Sequence, residues 1–144
     1  MKTDSIQIKY RLLSPEETYG GPPPQFENRP FPKSQIDAET TFYDKIGQKL
    51  LEEPYFAIGH FQLLLEEWLK HPADRDFIMQ GKEIGWYCDI QFKVTDSEIT
   101  FIALAEDKLT AQAKFPIDSF ILYMRKFNTQ LISDISEMYP NLSP

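Results

Sequence analysis

The chain has 144 residues, of which 42% are hydrophobic and 14% aromatic, and its 22 acidic and 15 basic side chains give a net charge of −7. That length and composition suit one folded domain, residues 1–144, with a core of its own, and exclude a disordered chain. The single cysteine, Cys88, excludes an intramolecular disulfide framework and a cysteine-rich zinc site, and the acidic balance argues against nucleic acid and anionic membrane as partners.

If the partner is a protein, the same balance favours a basic one. Residues 1–13 alternate polar and apolar types and lack the apolar run of a signal peptide. No stretch reaches the length of a membrane-spanning helix. The expected location is therefore the cytoplasm.

In chain order, residues 5–13 place Ile6, Ile8, Tyr10 and Leu12 on one face at period two, which predicts a strand. Residues 20–33, GGPPPQFENRPFPK, form a proline-rich loop, since proline fixes φ and removes donors. Phe26 and Phe31 are expected to pin that loop to the domain. Residues 39–51 admit two readings. A short hairpin fits Thr40, Thr41 and Gly47, all poor in helices. A helix with Phe42, Ile46 and Leu50 at spacing four fits almost as well. The hairpin is preferred, with Pro54 closing the segment.

Residues 57–70, AIGHFQLLLEEWLK, gather Ile58, Phe61, Leu64, Leu65, Trp68 and Leu69 within an arc of about 140° and predict a helix. His71-Pro72 ends it. Residues 76–80 predict a strand. A β-meander follows through residue 115. Trp86, Cys88, Ile90, Phe92 and Val94 face inward, against Tyr87, Asp89, Gln91 and Lys93 outward. A turn at Asp96-Ser97 sets Val94 opposite Ile99 and Phe92 opposite Phe101. A three-residue loop, Glu106-Asp107-Lys108, sets Phe101 opposite Ala113 and carries Leu109, Ala111, Ala113 and Phe115 inward. Residues 117–138 predict a second helix, opened by Pro116 and stopped by Pro140. Its apolar face runs from Phe120 to Met138. The fold class is α+β: an antiparallel sheet of five or more strands with a central meander, and two helices packed on one face.

The residues that could carry chemistry have simpler roles. His60 and His71 share a helix side roughly 16 Å apart, too far for one metal ion. Glu67 and His71 at i, i+4 suit a surface pair. Cys88 faces inward as a small hydrophobe. Glu52-Glu53, Glu66-Glu67, Asp74, Asp76 and Glu106-Asp107 stand at element ends or on polar faces. Gly20-Gly21 precedes three prolines, so no phosphate-binding helix start forms there. No catalytic residue, metal ligand or cofactor is assigned.

The outer sheet face is more informative. The register sets Ile102 beside Gln91 and Leu104 beside Asp89, with Tyr87 close by, in an otherwise polar lattice. The proline-rich loop or the first strand covers these residues, or they form a protein-binding patch. The candidate partner-binding residues are Tyr87, Asp89, Ile102 and Leu104, with Asp74 and Asp76 as acids for a basic partner. Two other readings stay open. One is a ligand or enzyme pocket between the loop and the sheet, lined by Tyr19, Phe26 and Phe31. The other is a homo-oligomer built through the outer face.

The order of the helix FQLLLEEWL, the strand DFIMQ, the meander WYCDIQFKV–ITFIAL–LTAQAKF and the helix begun by FPIDSFILYMRKF resembles small, largely uncharacterised bacterial families found among polymorphic-toxin immunity proteins. The likeness covers about residues 57–138. It implies a non-enzymatic protein that neutralises a toxin by direct binding, and the acidic balance of the chain makes a basic toxin the expected one.

Overall fold

The computed structural model describes residues 5–14, 16–17, 31–81, 88–105, 108–140 and 142–143. The expectations for Tyr19, Phe26, the Phe31 side chain, Trp86, Tyr87 and Glu106-Asp107 lie outside the described residues. The elements are β1 (Gln7–Leu12), β2 (Phe31–Pro32), a 3-10 turn (Lys33–Gln35), β3 (Ala38–Tyr43) and β4 (Lys49–Phe56). They continue with α1 (Ile58–Trp68), β5 (Phe77–Met79), β6 (Cys88–Val94), β7 (Glu98–Ala105), β8 (Lys108–Pro116), α2 (Ile117–Met138) and β9 (Leu142–Ser143).

The class is α+β with antiparallel strands. Those strands divide between two sheets, ordered β1-β3-β4 and β5-β6-β7-β8, while β2 and β9 form a short parallel pair. Period-two alternation says which face of a strand is buried but not which strand lies beside it, so the division is set by packing. The two sheets share one core. Phe42 of β3 meets Phe101 of β7 at 5.3 Å between ring centroids and Phe61 of α1 at 5.9 Å. Phe92 is the hub of the four-stranded sheet. It stacks on Phe77 at 4.4 Å and meets Trp68 of α1 at 5.4 Å and Phe120 of α2 at 4.9 Å. Each such ring pair adds about 0.5–1.5 kcal/mol to the burial itself.

Residues 39–51 form the hairpin. Asp44 N–H donates to the Gln48 carbonyl at 2.9 Å, and Asp44 Oδ1 accepts from Ile46 N at 3.0 Å and Gln48 N at 2.8 Å. Gly47 sits at φ 88°, where a side chain would strain the backbone. Pro54 does not close the segment, because β4 runs on to Phe56. The register slips by one residue between the Thr40–Glu53 and Ala38–Phe56 pairs, so Pro54 lies in a bulge of an outer strand. A residue without an N–H is tolerated there.

The helix over 57–70 is α1, with Ile58, Phe61, Leu65 and Trp68 buried and Leu63 exposed. Gln62 is also fully buried, on the side facing α2, where its Nε2 donates to Asn128 Oδ1 at 3.0 Å. The 117–138 helix has the predicted limits, and Phe120, Met124, Phe127, Leu131 and Ile135 are buried along it. Met138, expected on its apolar face, is 44% exposed. Among the described residues no helix is long and apolar enough to cross a membrane.

Candidate functional site on the outer sheet face

β6 and β7 pair in the predicted register: Val94 with Ile99, Phe92 with Phe101, Ile90 with Ala103. Inward residues Ile90, Phe92, Ile99, Phe101 and Ala103 are fully buried, so the alternate residues form an outer face. Asp89 lies opposite Leu104, and Gln91 opposite Ile102. The second row extends to Ile78 on β5 and to Gln112 on β8. Ile102 and Leu104 are half-buried, whereas Ile78 is 52% exposed.

Leu109 joins them through a break in the ladder. Phe101 does pair with Ala113, and Ala103 with Ala111, but Leu104 then pairs with Leu109 and Ala105 with Lys108. The odd residue is therefore not in the loop, since Lys108 already belongs to β8. It is a bulge at Thr110, whose hydroxyl donates to the Ala103 carbonyl at 2.9 Å. A one-residue slip reverses every side chain beyond it. Leu109, expected inward, is accordingly 56% exposed on the outer face. Ile102, Leu104 and Leu109 thus make a cluster rimmed by Gln91, Gln112 and Asp89, with Ile78 beyond Gln91 on β5. Lys93, Thr100 and Lys114 form the next row. The sequence pattern could not supply Leu109, because an odd residue fits a loop or a strand equally well.

The six predicted partner-binding residues do not form one site. Asp89, Ile102 and Leu104 come together, and Tyr87 is outside the described residues. Asp89 Oδ1 accepts from Gly81 N–H at 2.8 Å and so ties down the chain leaving β5. Asp76 Oδ1 accepts from Val94 N–H at 2.8 Å, at the far end of β6. Val94 is five residues along the strand from Asp89, or about 16 Å. Asp74 is exposed in the turn after α1, its Oδ2 3.9 Å from His71 Nδ1. Glu67, expected beside His71, pairs instead with Lys70 at 2.8 Å. The side chain of Arg75 closes this turn, donating to the Glu67 carbonyl at 2.8 Å, while its own carbonyl accepts from Trp68 Nε1 at 2.8 Å.

The other chemical groups stay apart. Cys88 is buried, and that burial, with the charges of Glu53 and Asp89, pushes its thiol up to about 11. It is a protonated thiol at neutral pH, the opposite of an activated nucleophile. His60 Nε2 is closed from solvent and has no hydrogen-bond partner among the described residues. Among the described residues no three His, Cys, Asp or Glu side chains gather as a metal site. An open cleft of about 540 Å³ runs between α1 and α2, lined by Glu66, Leu69, Lys70, Arg125, Asn128 and Thr129.

Comparison of the chain with protein-family models, with curated proteins and with solved structures finds no match.

Proposed function

We propose that the chain is a non-enzymatic binding domain that docks a basic protein partner on the outer face of the β5–β8 sheet. In the setting its resemblance implies, it acts in the cytoplasm as an immunity protein that neutralises a toxin by covering it. The observation that carries this reading is the cluster of Ile102, Leu104 and Leu109 on a solvent face with a polar rim, and Ile78 exposed beyond it. Adjacent aliphatics left partly or wholly in water cost free energy there and regain it against a partner. The net charge of −7 acts on the whole molecule rather than at the patch, which has Asp89 at one end and Lys93 and Lys114 at the other. Its contribution is to speed the encounter with a basic protein.

The test is capture of a partner from host lysate, followed by titration of the purified pair. Binding is measured for the native chain and for Leu104→Asp/Leu109→Asp, whose positions face outward. Losing one well-buried aliphatic contact costs about 2 kcal/mol, so Kd should rise at least thirtyfold. Raising salt should slow association without abolishing it. Unchanged Kd in the double variant moves the interface off this face. Sedimentation as a stable dimer that the double variant dissolves assigns the face to a second copy instead.

A further inference from the structure

β1 is an outer strand of its sheet. Alternate residues of an antiparallel strand bond across to the neighbour, and those between them point their N–H and C=O to the open side. Two contacts fix the phase here. Leu13 N–H donates to the Asp37 carbonyl at 3.0 Å, continuing the ladder toward β3. Ile8 N–H points the other way, donating to Tyr123 Oη at 2.7 Å. Ile8, Tyr10 and Leu12 therefore face the open side.

That edge is closed at both ends by α2 and the residue just after it. The Tyr123 hydroxyl also donates to the Ile8 carbonyl at 3.4 Å, and the Tyr139 hydroxyl donates to the Leu13 carbonyl. Between them, the backbone groups of Tyr10 and Leu12 have no partner among the described residues. They border an open cleft of about 380 Å³ lined by Tyr10, Arg11, Leu12, Asp134, Glu137 and Met138. The cleft is acidic in effect. Arg11 is held by Glu17 at 2.8 Å and Glu39 at 2.5 Å, so its charge does not offset Asp134 and Glu137.

We infer that the Tyr10–Leu12 edge accepts an extended, basic segment of a protein partner as an added strand. Main-chain hydrogen bonds to Tyr10 and Leu12 align the segment. Lysine or arginine on the α2 side meets Glu137 foremost, because the Asp134 carboxylate already accepts from the Tyr10 hydroxyl at 2.5 Å and from Gln130 Nε2 at 2.8 Å, and an apolar residue covers Met138. This surface is separate from the outer face of the β5–β8 sheet, and the two can succeed or fail independently.

The test uses the intact chain and a capped seven-residue peptide alternating lysine and valine, followed by amide NMR and hydrogen exchange. In the free protein, the Tyr10 and Leu12 amides should exchange at least tenfold faster than those of Lys9 and Arg11. The peptide should protect both and shift them most. The same peptide N-methylated at alternate residues, in each register, should bind at least tenfold more weakly in one register. Glu137→Lys should weaken the native peptide at least fivefold, while Leu104→Asp should leave it unchanged. Equal binding by both methylated peptides, or shifts elsewhere, overturns the inference. So does protection of Tyr10 and Leu12 that grows with protein concentration alone, because the edge is then taken by a second copy.

Discussion

Replacing Gly59 with alanine sets two effects of opposite sign against each other. Gly59 is the second residue of α1. By helix propensity alone, alanine there gains about 1 kcal/mol. Packing opposes it. The Gly59 N–H donates to the Ile36 carbonyl at 3.0 Å, and a Cβ on Gly59 would stand 1.9 Å from the Lys33 carbonyl oxygen and 3.1 Å from Ile36 Cβ. The obstacle is backbone, so no rotamer change relieves it. Either the 3-10 turn or α1 must retreat by more than about 1 Å, and α1 carries Phe61 and Trp68 into the core. Overpacking of this kind costs about 3 kcal/mol, the upper end of the usual range. The net loss is then about 2 kcal/mol. For 144 residues the unfolding entropy at the midpoint is about 0.3 kcal/mol per kelvin. Tm should fall by about 7 K, read by differential scanning calorimetry at neutral pH. A Tm that is unchanged or higher refutes the reasoning, because propensity would then act unopposed and α1 could not rest on the Lys33 carbonyl.

Tyr123→Phe keeps the ring, which stacks on Phe127 at 6.3 Å, and removes the hydroxyl that serves Ile8. It should cost about 1–2 kcal/mol and speed Ile8 amide exchange at least tenfold, leaving Arg11 unchanged; unaltered Ile8 protection removes this role for Tyr123. Asp37→Asn tests a carboxyl that burial pushes up to about 6 from 3.8. Its folded-state pKa is raised, so its stabilising contribution is complete below about pH 4 and is lost as pH rises through 6. Asparagine cannot ionise, so the variant should melt higher than the native chain at pH 7.5 and equally at pH 3.5. Equal melting at both values refutes the burial argument.

Much of the fold is legible in the sequence where a pattern has one reading. In β6 and β7, alternation and a two-residue turn leave a single register that buries Phe92 and Phe101 together. In α2, Pro116 and Pro140 bracket a continuous apolar stripe. Patterns with two readings are less informative. The odd residue between Ala103 and Ala111 fits a longer loop or a bulge, and the bulge moves Leu109 from core to surface. Pro54 looks like a terminator, yet an outer strand can hold it. Contacts distant in sequence leave no local trace. Nothing near Ile8 announces Tyr123, which lies 115 residues away. The candidate site shares this limit. Ile102 and Leu104 follow from local register, Leu109 depends on the bulge, and Asp74 and Asp76 are separated from Asp89 by the sheet's own length.

Exposed strand edges invite pairing with other chains, and this fold limits them by different means. β5 is three residues long. β4 carries Pro54 and runs close to β8. β1 is longer and depends on hydroxyls from Tyr123 and Tyr139, which leave the backbone of two edge positions without a partner among the described residues. That stretch is too short to template an extended assembly. Its charge also gives it selectivity. A second copy aligning its own β1 here would bring Asp134 and Glu137 of both chains together, and like charges at close range oppose that pairing. A lysine-rich segment meets the same carboxylates with attraction. The acidic composition that first argued for a basic partner therefore has a local counterpart at β1, where, in the proposed docking, the backbone would supply alignment and the carboxylates of α2 would select the segment.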